Sequence, residues 1–214
     1  MPDLATVFYP EKLAEMGTAI GRAITEHQCP GAVLWLERKG SAYHRAYGDR
    51  ALVPAIESMT EDTIFDAASL TKVLATTPAI MQLIERGQVK LDAPVQAYLP
   101  EFKGGGKEAI TIRQLMTHTS GLPPDLNLDP PWSGYDTAIR LACAEQLNAP
   151  PGTEFRYSDI NFFLLGEVVH RVTGQPLNQY VARELYRPLR MRDTGFLPPR
   201  ALWPRIAPTE FADG

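Results

Sequence analysis

A serine followed three residues later by a lysine, Ser69 and Lys72, is a pattern in this sequence that could support nucleophilic chemistry. If both residues lie on one helix, their Cβ atoms are about 5–6 Å apart and the lysine amine reaches the serine hydroxyl. An ordinary lysine, with a pKa near ~10.4, is protonated and therefore a poor base. Desolvation at the helix start, or a neighbouring cation, would hold Lys72 neutral and able to activate Ser69. The alternative is that Ser69 only caps a helix while Lys72 lies in solvent, since so short a motif is only a hypothesis.

The residues after Lys72 predict the helix that this chemistry needs. Side chains recur at spacings of three and four, which indicates one buried stripe: Val73, Leu74, Thr77, Ile80, Met81 and Ile84. Glycine commonly ends a helix in the left-handed conformation, and Gly87 follows this stripe. We therefore expect the Ser69 helix to end near Gly87.

The composition limits the classes of protein to which the chain can belong. It has 214 residues, of which 44% are hydrophobic and 21% charged, and this is ordinary for a soluble protein with one or two domains. A net charge of -4 without a run of like charge argues against a nucleic-acid partner. No apolar run approaches the length of about 20 residues that spans a bilayer. We expect neither a nucleic-acid partner nor a membrane span.

Cysteine, histidine and the N-terminal residues give three further expectations. Cys29 and Cys143 lie far apart without metal-like spacing, so free buried thiols are favoured, although a disulfide stays open. The histidines show no i, i+4 pair, so we predict no metal and no cofactor; they are His27, His44, His118 and His170. The first 18 residues contain no apolar signal core, which predicts a cytoplasmic protein, or a periplasmic or secreted one whose signal has been removed.

Local patterns predict one helix and one hairpin, followed by a mainly helical region. We expect a helix over Glu11–His27, strands over Ala32–Glu37 and Ala42–Tyr47, and a loop over 48–60. Later helices are expected after Thr111, over Ser133–Leu147, from Ser158 or Asp159 to Gly174, and over Asn178–Tyr186, with coil from Pro188.

A run of three glycines at 104–106, flanked by lysines, suggests a phosphate-binding loop. Such loops follow a strand and end in Gly-Lys-Ser or Gly-Lys-Thr, and neither feature is present here. A plain surface loop is therefore the preferred interpretation.

Several segments occur in an order that resembles one enzyme family. They are Ser69-Leu70-Thr71-Lys72, Leu91-Asp92-Ala93-Pro94-Val95, His118-Thr119-Ser120-Gly121-Leu122-Pro123, Tyr157-Ser158-Asp159 and the run from Pro188 to Phe196. Together they resemble the serine β-lactamase and penicillin-binding-protein family, in its class C β-lactamase and family VIII esterase branch.

The resemblance implies an α/β fold of the α+β sandwich type. An antiparallel sheet flanked by helices would be joined to a mainly helical domain, with the C-terminal sheet strands missing from this chain. Residues 1–65 would form the N-terminal helix and β-hairpin of the α/β domain. Residues 66–196 would form the helical domain that carries the catalytic serine, and residues 197–214 a coil leading toward the missing strands.

The resemblance also implies an activity and a role for three residues. Ser69 would be the nucleophile of an acyl-enzyme, and Lys72 would share its proton. Tyr157 matches the tyrosine of the family's Tyr-x-Asn motif, which moves protons to the leaving group and activates water. A lysine ammonium close to a tyrosine favours its phenolate, which suits that role. The expected partner is a small-molecule acyl substrate: a β-lactam, an ester or a D-alanyl peptide. The alternative is a non-catalytic or acyl-trapping penicillin-binding-like domain that serves as a sensor or interaction module.

Two further residues are expected to contact the substrate, Asp159 and Leu122. Asp159 stands where the family pattern has asparagine, and an ionised aspartate accepts hydrogen bonds but donates none. We expect this change to favour ester or peptide-like substrates over penicillins, which carry a carboxylate. The segment from His118 resembles a loop-forming element near the site, so a catalytic triad role for His118 is not favoured.

The third motif of the family, Lys-Thr-Gly or His-x-Gly on a strand, is absent from the sequence. In the family that strand supplies one backbone N–H of the oxyanion hole, and removing one such donor typically costs roughly 10²–10³ in rate. We therefore expect the chain to be the N-terminal part of a longer enzyme: a truncated form, a cleaved product or a natural fragment. A C-terminal fragment or a second chain could then complete the sheet. Alone, the chain should be weakly active at best.

Overall fold

The computed structural model describes residues 7–209. These residues form two compact units, one made of residues 7–66 and 197–209, and the other of Ala67–Phe196. Within this part of the chain, no helix is both long and apolar enough to cross a membrane.

The first unit is built on a helix and a β-hairpin. Helix α1 spans Pro10–Thr25 and begins with a proline, whose fixed φ suits the first helical position. Strands β1 (Gly31–Arg38) and β2 (Ser41–Ala51) pair antiparallel. Lys39 and Gly40 at their turn have φ of 51° and 74°, and a two-residue hairpin turn favours such positive values. The predicted helix and hairpin are confirmed.

The sheet continues beyond the predicted hairpin. Strand β3 (Glu57–Ser58) pairs antiparallel with β2, so the sheet order among residues 7–209 is β1-β2-β3. A bulge interrupts β2 near its end, and Arg50 donates to the Glu57 carboxylate at 2.9 Å. The predicted loop over 48–60 is therefore wrong at 48–51 and at Glu57–Ser58, because backbone pairing forms strand there without an alternating apolar pattern to reveal it.

The second unit is mainly helical. Its α-helices are α2 (Thr77–Glu85), α3 (Ile112–Met116), α4 (Tyr135–Ala144), α5 (Asp159–Thr173) and α6 (Leu177–Val181). Helix α5 packs against the other four, and Leu164, Leu165 and Val168 on it are fully buried. Burial of apolar surface is the main favourable contribution to folding, so this packing fixes the position of the α5 N-terminus.

The segment around Ser69 differs from the single helix that was predicted. It begins with a 3₁₀ turn at Ala68–Leu70, continues as a π-helical turn at Lys72–Thr76, and becomes α2. A π turn holds one residue more than an α turn, so it shifts which side chains face the core. The buried side chains are Ala75, Thr76, Ala79, Ile80 and Leu83. Val73, Leu74 and Met81 are 59%, 39% and 50% exposed, so the predicted stripe is wrong at these three positions.

Helix ends follow several of the local predictions. Gly87, after α2, has a φ of 69°, as expected for a left-handed cap. Thr111 accepts from the Gln114 backbone N–H, and the Gln114 side chain accepts from the Thr111 backbone, which forms a capping box at α3. Gly174, with a φ of 68°, ends α5. These predictions are confirmed.

The C-terminal part of the described chain is more structured than expected. The predicted helix over Asn178–Tyr186 divides into α6 and a π-helical turn at Ala182–Tyr186. The predicted coil from Pro188 contains a 3₁₀ turn at Arg200–Arg205. With its small antiparallel sheet and many helices, the structure confirms the α/β class.

The triple-glycine loop forms a hydrogen bond with a carboxylate of the same chain, that of Glu108. The backbone N–H of Gly104 donates to Glu108 Oε1 at 2.6 Å, and this hydrogen bond is the main reason that the pKa of Glu108 is lowered. Gly104, Gly105 and Gly106 all have positive φ, which glycine adopts without strain. The Gly104 amide, which a phosphate-binding loop would offer to its ligand, is therefore engaged by a carboxylate of the same chain.

Candidate active site

Ser69 and Lys72 meet where the 3₁₀ turn passes into the π-helical turn. Lys72 Nζ donates to Ser69 Oγ at 3.1 Å. The Ser69 residue is exposed, whereas the Lys72 side chain is only 12% exposed. A hydroxyl accessible to a reagent therefore contacts an amine that is largely shielded from water.

The backbone just before Ser69 is in an unusual conformation. Ala68 has a φ of 41°, which costs a residue with a Cβ roughly 1–2 kcal/mol. Such residues cluster at functional sites, where the surrounding packing over-determines the backbone. The π-helical turn that follows is also a form often found at functional sites.

Asp159, the first residue of α5, supplies an opposite charge. Its carboxylate forms an ion pair with the Lys72 ammonium, and its own side chain is 36% exposed. A carboxylate in the first turn of a helix is also favoured by the helix dipole. The two residues are 87 positions apart in the chain, so the packing of α5 brings them together.

The pKa of Lys72 is raised above its ordinary value. Burial acts in the opposite direction, but hydrogen bonds to Asp159 and Tyr157 outweigh it. Lys72 is therefore a protonated ammonium in this structure. The expectation that desolvation or a nearby cation holds it neutral is wrong, because the closest charged neighbour is an anion.

Tyr157 lies directly against the Lys72 ammonium. Lys72 Nζ is 4.8 Å from the centre of the Tyr157 ring and 5.6 Å from the centre of the Phe162 ring. The hydrogen bond with Lys72 is the main cause that lowers the pKa of the Tyr157 phenol, and the hydrogen bond with Ser69 is the second. Of the two groups near the Ser69 hydroxyl, the phenol is therefore the one that gives up its proton more readily than usual.

Backbone and side-chain hydrogen bonds hold the turn that carries Tyr157 and Asp159. Ser158 Oγ donates to the carbonyl of Pro123 at 2.6 Å, and the backbone N–H of Asp159 donates to the carbonyl of Pro124 at 2.7 Å. The backbone N–H of Ser158 donates to His118 Nδ1 at 3.1 Å. The segment that begins at His118 thus positions the N-terminus of α5.

A buried pair of polar side chains supports the same turn. Ser120 Oγ donates to Asn161 Oδ1 at 2.6 Å, and both residues are buried. Two residues later, Leu122 is fully buried in the core of the unit. Sequence reasoning did not single out Ser120 or Asn161 as supports of the site. Asn161 stands out as a polar residue in an apolar segment, but Ser120 lies among other polar residues, so their pairing can be recognised only when the two segments are known to touch.

The structure brings together four of the five residues singled out from the sequence. Ser69, Lys72, Tyr157 and Asp159 form one cluster within a single compact unit. The Asp159 carboxylate is engaged with Lys72, so only its exposed part is available to another molecule. Leu122 does not join the cluster, because its side chain offers no surface to a substrate.

The cluster can do acyl-transfer chemistry with its own groups. It combines a hydroxyl, an ammonium that stabilises negative charge, and a phenol that can exchange a proton. Among residues 7–209, no group of three histidine, cysteine, aspartate or glutamate side chains is placed to hold a metal ion. The free cysteines are outside this cluster, and burial raises the pKa of the Cys143 thiol to about 11.

Comparison with known proteins assigns the family. Residues 14–212 match the Beta-lactamase family. The chain belongs to the Beta-lactamase family. The resemblance stated from the sequence is therefore confirmed.

The chain is similar to curated proteins and to solved structures. The chain is 35% identical over 204 residues to Esterase EstB of Burkholderia gladioli, covering 86% of this chain and 51% of that protein. It is 33% identical over 225 residues to N-acetylmuramyl-L-alanine amidase of Bacillus subtilis, covering 96% of this chain and 50% of that protein. A class C beta-lactamase structure matches with a TM-score of 0.79 at 25% identity, covering 92% of this chain and 55% of that one. The chain thus spans about half the length of the curated relatives it matches.

Proposed function

We propose that the protein is a serine hydrolase that acts through an acyl-enzyme on Ser69. The observation that carries this proposal is the 3.1 Å contact between Lys72 Nζ and Ser69 Oγ, with Tyr157 against the same ammonium. Membership of the Beta-lactamase family supports it.

In the proposed acylation step, Tyr157 takes the proton from Ser69. Lys72 is already protonated, whereas the pKa of the Tyr157 phenol is lowered, so a Tyr157 phenolate is the better base. Ser69 Oγ forms a bond to the acyl carbonyl carbon while its proton moves to the phenolate. Tyr157 then gives this proton to the leaving group as the bond between that group and the carbonyl carbon breaks.

Deacylation uses the same groups in reverse. A water molecule gives a proton to the Tyr157 phenolate and attacks the Ser69 ester, and the proton then returns to Ser69 Oγ as the acid leaves. The Lys72 ammonium keeps its charge throughout and stabilises the phenolate and the negative charge that develops near Ser69. After acylation, Ser69 is esterified and Tyr157 is again a phenolate, because the Ser69 proton has left with the leaving group. Deacylation restores the Ser69 hydroxyl with a proton that comes from water.

We further propose that uncharged acyl esters are better substrates than compounds carrying a carboxylate next to the scissile bond. The carboxylate of Asp159, which is paired with Lys72 but still 36% exposed, supports this, since it would repel a carboxylate on the substrate. The likeness to Esterase EstB also favours ester hydrolysis.

Covalent labelling tests the nucleophile directly. The protein is incubated with a fluorophosphonate and separately with a β-lactam, and intact-mass spectrometry measures the adduct. We expect one phosphonyl adduct on the wild type and none on Ser69→Ala. No adduct on the wild type, or the same adduct on Ser69→Ala, would contradict the assignment.

Substrate preference is tested with an uncharged p-nitrophenyl ester and with nitrocefin, a β-lactam that carries a carboxylate. We expect the ester to be hydrolysed with the higher kcat/KM. A nitrocefin turnover equal to that of dedicated β-lactamases would show that Asp159 does not exclude carboxylates.

A further inference from the structure

His118 is enclosed by aromatic rings next to the proposed catalytic groups. Its imidazole stacks on Tyr157 with ring centres 4.5 Å apart and an interplanar angle of 30°. Phe162 lies at 5.1 Å in a tilted arrangement, and Phe155 at 5.9 Å edge-on. The backbone of His118 has a φ of 56°, which places the ring at the start of the segment that supports α5.

Two N–H groups point at the same imidazole nitrogen. The backbone N–H of Ser158 donates to His118 Nδ1 at 3.1 Å, and Asn161 Nδ2 lies 3.3 Å from it. The Ser120 hydroxyl donates to Asn161 Oδ1, which orients the amide nitrogen toward His118. A nitrogen that accepts an N–H carries no hydrogen of its own, so the ring is neutral with its hydrogen on Nε2.

We propose that neutral His118 is a positioning residue that holds Tyr157 against Lys72, and that its protonation slows acylation of Ser69. This inference rests on the proposed function and adds to it a residue that does not touch the reacting atoms. Protonation would place a hydrogen on Nδ1, where it would face the Ser158 N–H. The turn that carries Tyr157 would then lose both its hydrogen-bond acceptor and its fixed ring stacking.

The charges around His118 favour the neutral form. Burial is the main cause that lowers the pKa of His118, and the Lys72 ammonium lowers it further. The Asp159 carboxylate at the start of α5 acts in the opposite direction. The Tyr157 phenol is the titratable group that faces the ring from the segment before α5. Because the pKa lies below the ordinary value near ~6.5, His118 is neutral at neutral pH and becomes charged only on acidification.

Two substitutions separate the hydrogen bond from the ring stacking. In His118→Asn, the side-chain oxygen can take the place of Nδ1 as the acceptor, asparagine tolerates a positive φ, and the group does not titrate. In His118→Phe, the ring stays but the acceptor is lost, which leaves the buried N–H of Ser158 unpaired.

The test measures the second-order rate constant for fluorophosphonate labelling of Ser69 between about pH 5 and about pH 9. The wild type should lose rate on acidification in two steps: one as the Tyr157 phenolate is protonated, and a second, the acid limb, with a pKa below that of an ordinary histidine. His118→Asn should keep its neutral-pH rate within about threefold, retain the Tyr157 step and lose this acid limb. His118→Phe should be slower by about tenfold or more throughout, the loss that one unpaired buried N–H brings. His170→Asn is the matched control and should keep the wild-type profile.

Either of two results would overturn the proposal: an unchanged acid limb in His118→Asn, or a wild-type rate in His118→Phe whose folding is confirmed by near-ultraviolet circular dichroism. A second measurement does not need activity. The phenolate absorbance assigned to Tyr157, by difference from Tyr157→Phe, should titrate at higher pH in His118→Phe, because the phenol moves away from Lys72. An unchanged Tyr157 titration would refute the positioning role. A wild type that is never labelled at Ser69 would refute the proposed function instead.

Discussion

Lys72 serves two neighbours with one positive charge. The Asp159 carboxylate forms an ion pair with it, and the Tyr157 phenol has a lowered pKa because of it. In the proposed mechanism the carboxylate therefore competes with the developing phenolate for the same ammonium. Asparagine at this position would leave the ammonium to Tyr157 alone.

Replacing Asp159 with asparagine should change substrate preference. Asp159→Asn removes the negative charge that is paired with Lys72, so kcat/KM for nitrocefin should rise by about tenfold relative to an uncharged ester, the change that ~1.4 kcal/mol brings. Steady-state kinetics with both substrates measures this ratio. Asp136→Asn, the same charge change on α4, should leave the ratio at its wild-type value. An equal change in both variants would attribute the effect to net charge alone.

At the scale of elements, the segment that begins at His118 closely approaches the loop that follows α4. Gly121 has a φ of 82°, and a Cβ built there would lie 2.1 Å from the carbonyl oxygen of Ala149. The neighbouring Asn148 N–H donates to the Gly121 carbonyl at 2.8 Å, so the two backbones cannot separate without losing this bond. A side chain at Gly121 must therefore displace backbone.

We expect Gly121→Ala to lower the free energy of unfolding by about 3 kcal/mol, because a positive φ and a backbone clash add together. Gly174→Ala is a matched control: Gly174 is in the left-handed region, with a φ of 68° and a ψ of 10°, but no atom lies within 4 Å of a built Cβ. It should cost only about 1–2 kcal/mol. Urea unfolding at constant pH measures both values. Equal losses would mean that the approach to Ala149 carries no energetic weight.

The elements that the sequence predicted well are those with a local cause. The hairpin turn at Lys39-Gly40 and the capping box at Thr111 depend on residues close together in the chain. Elements set by long-range contacts were missed: β3 exists only because β2 lies beside it, and the π-helical turn at Lys72–Thr76 leaves no pattern in residue type.

The candidate site was predictable to the same extent. The identities of Ser69, Lys72, Tyr157 and Asp159 were singled out from motifs in the sequence, whereas the charge on Lys72 was not. The protonation of Lys72 depends on the Asp159 carboxylate, which is 87 positions away in the chain. Only the packing of α5 against the other helices brings that carboxylate to Lys72. The complete burial of the Leu122 side chain also depends on packing between distant segments, so the sequence did not predict it.

At the scale of the whole helical unit, charged side chains join distant segments away from Ser69. Glu167, almost fully buried on α5, accepts from Tyr135 at 2.6 Å and from Arg171 at 2.5 Å, and Arg171 also donates to Glu101 at 2.7 Å. Residues of this group line a cavity of about 710 Å³ that does not include the proposed catalytic residues. Because these charges are paired with one another, we assign them a role in stability.

Glu167→Gln should destabilise the protein in a pH-dependent way. Burial alone would raise the pKa of Glu167, but hydrogen bonds from Tyr135, Arg171 and His170 outweigh it and lower the pKa. The carboxylate therefore contributes stability at neutral pH that is lost as the pH falls through its folded pKa. We expect the variant to lose about 2 kcal/mol at neutral pH, the usual cost of removing hydrogen bonds to a charged group, and less in acid.

Urea unfolding of the wild type and Glu167→Gln at several pH values measures this difference. Glu85→Gln, an exposed change on α2, should follow the wild type at each pH. A loss for Glu167→Gln that is independent of pH would show that packing, and not the charge, is responsible.

The separation between Lys72 and Asp159 along the chain has a consequence for folding experiments. In an unfolded chain Ser69 still has Lys72 nearby, but it has neither the phenol nor the carboxylate, since both arrive with α5. Covalent capture of Ser69 during refolding therefore times the docking of α5 on the π-helical turn. The reagent that identifies the nucleophile therefore also reports when this long-range contact forms.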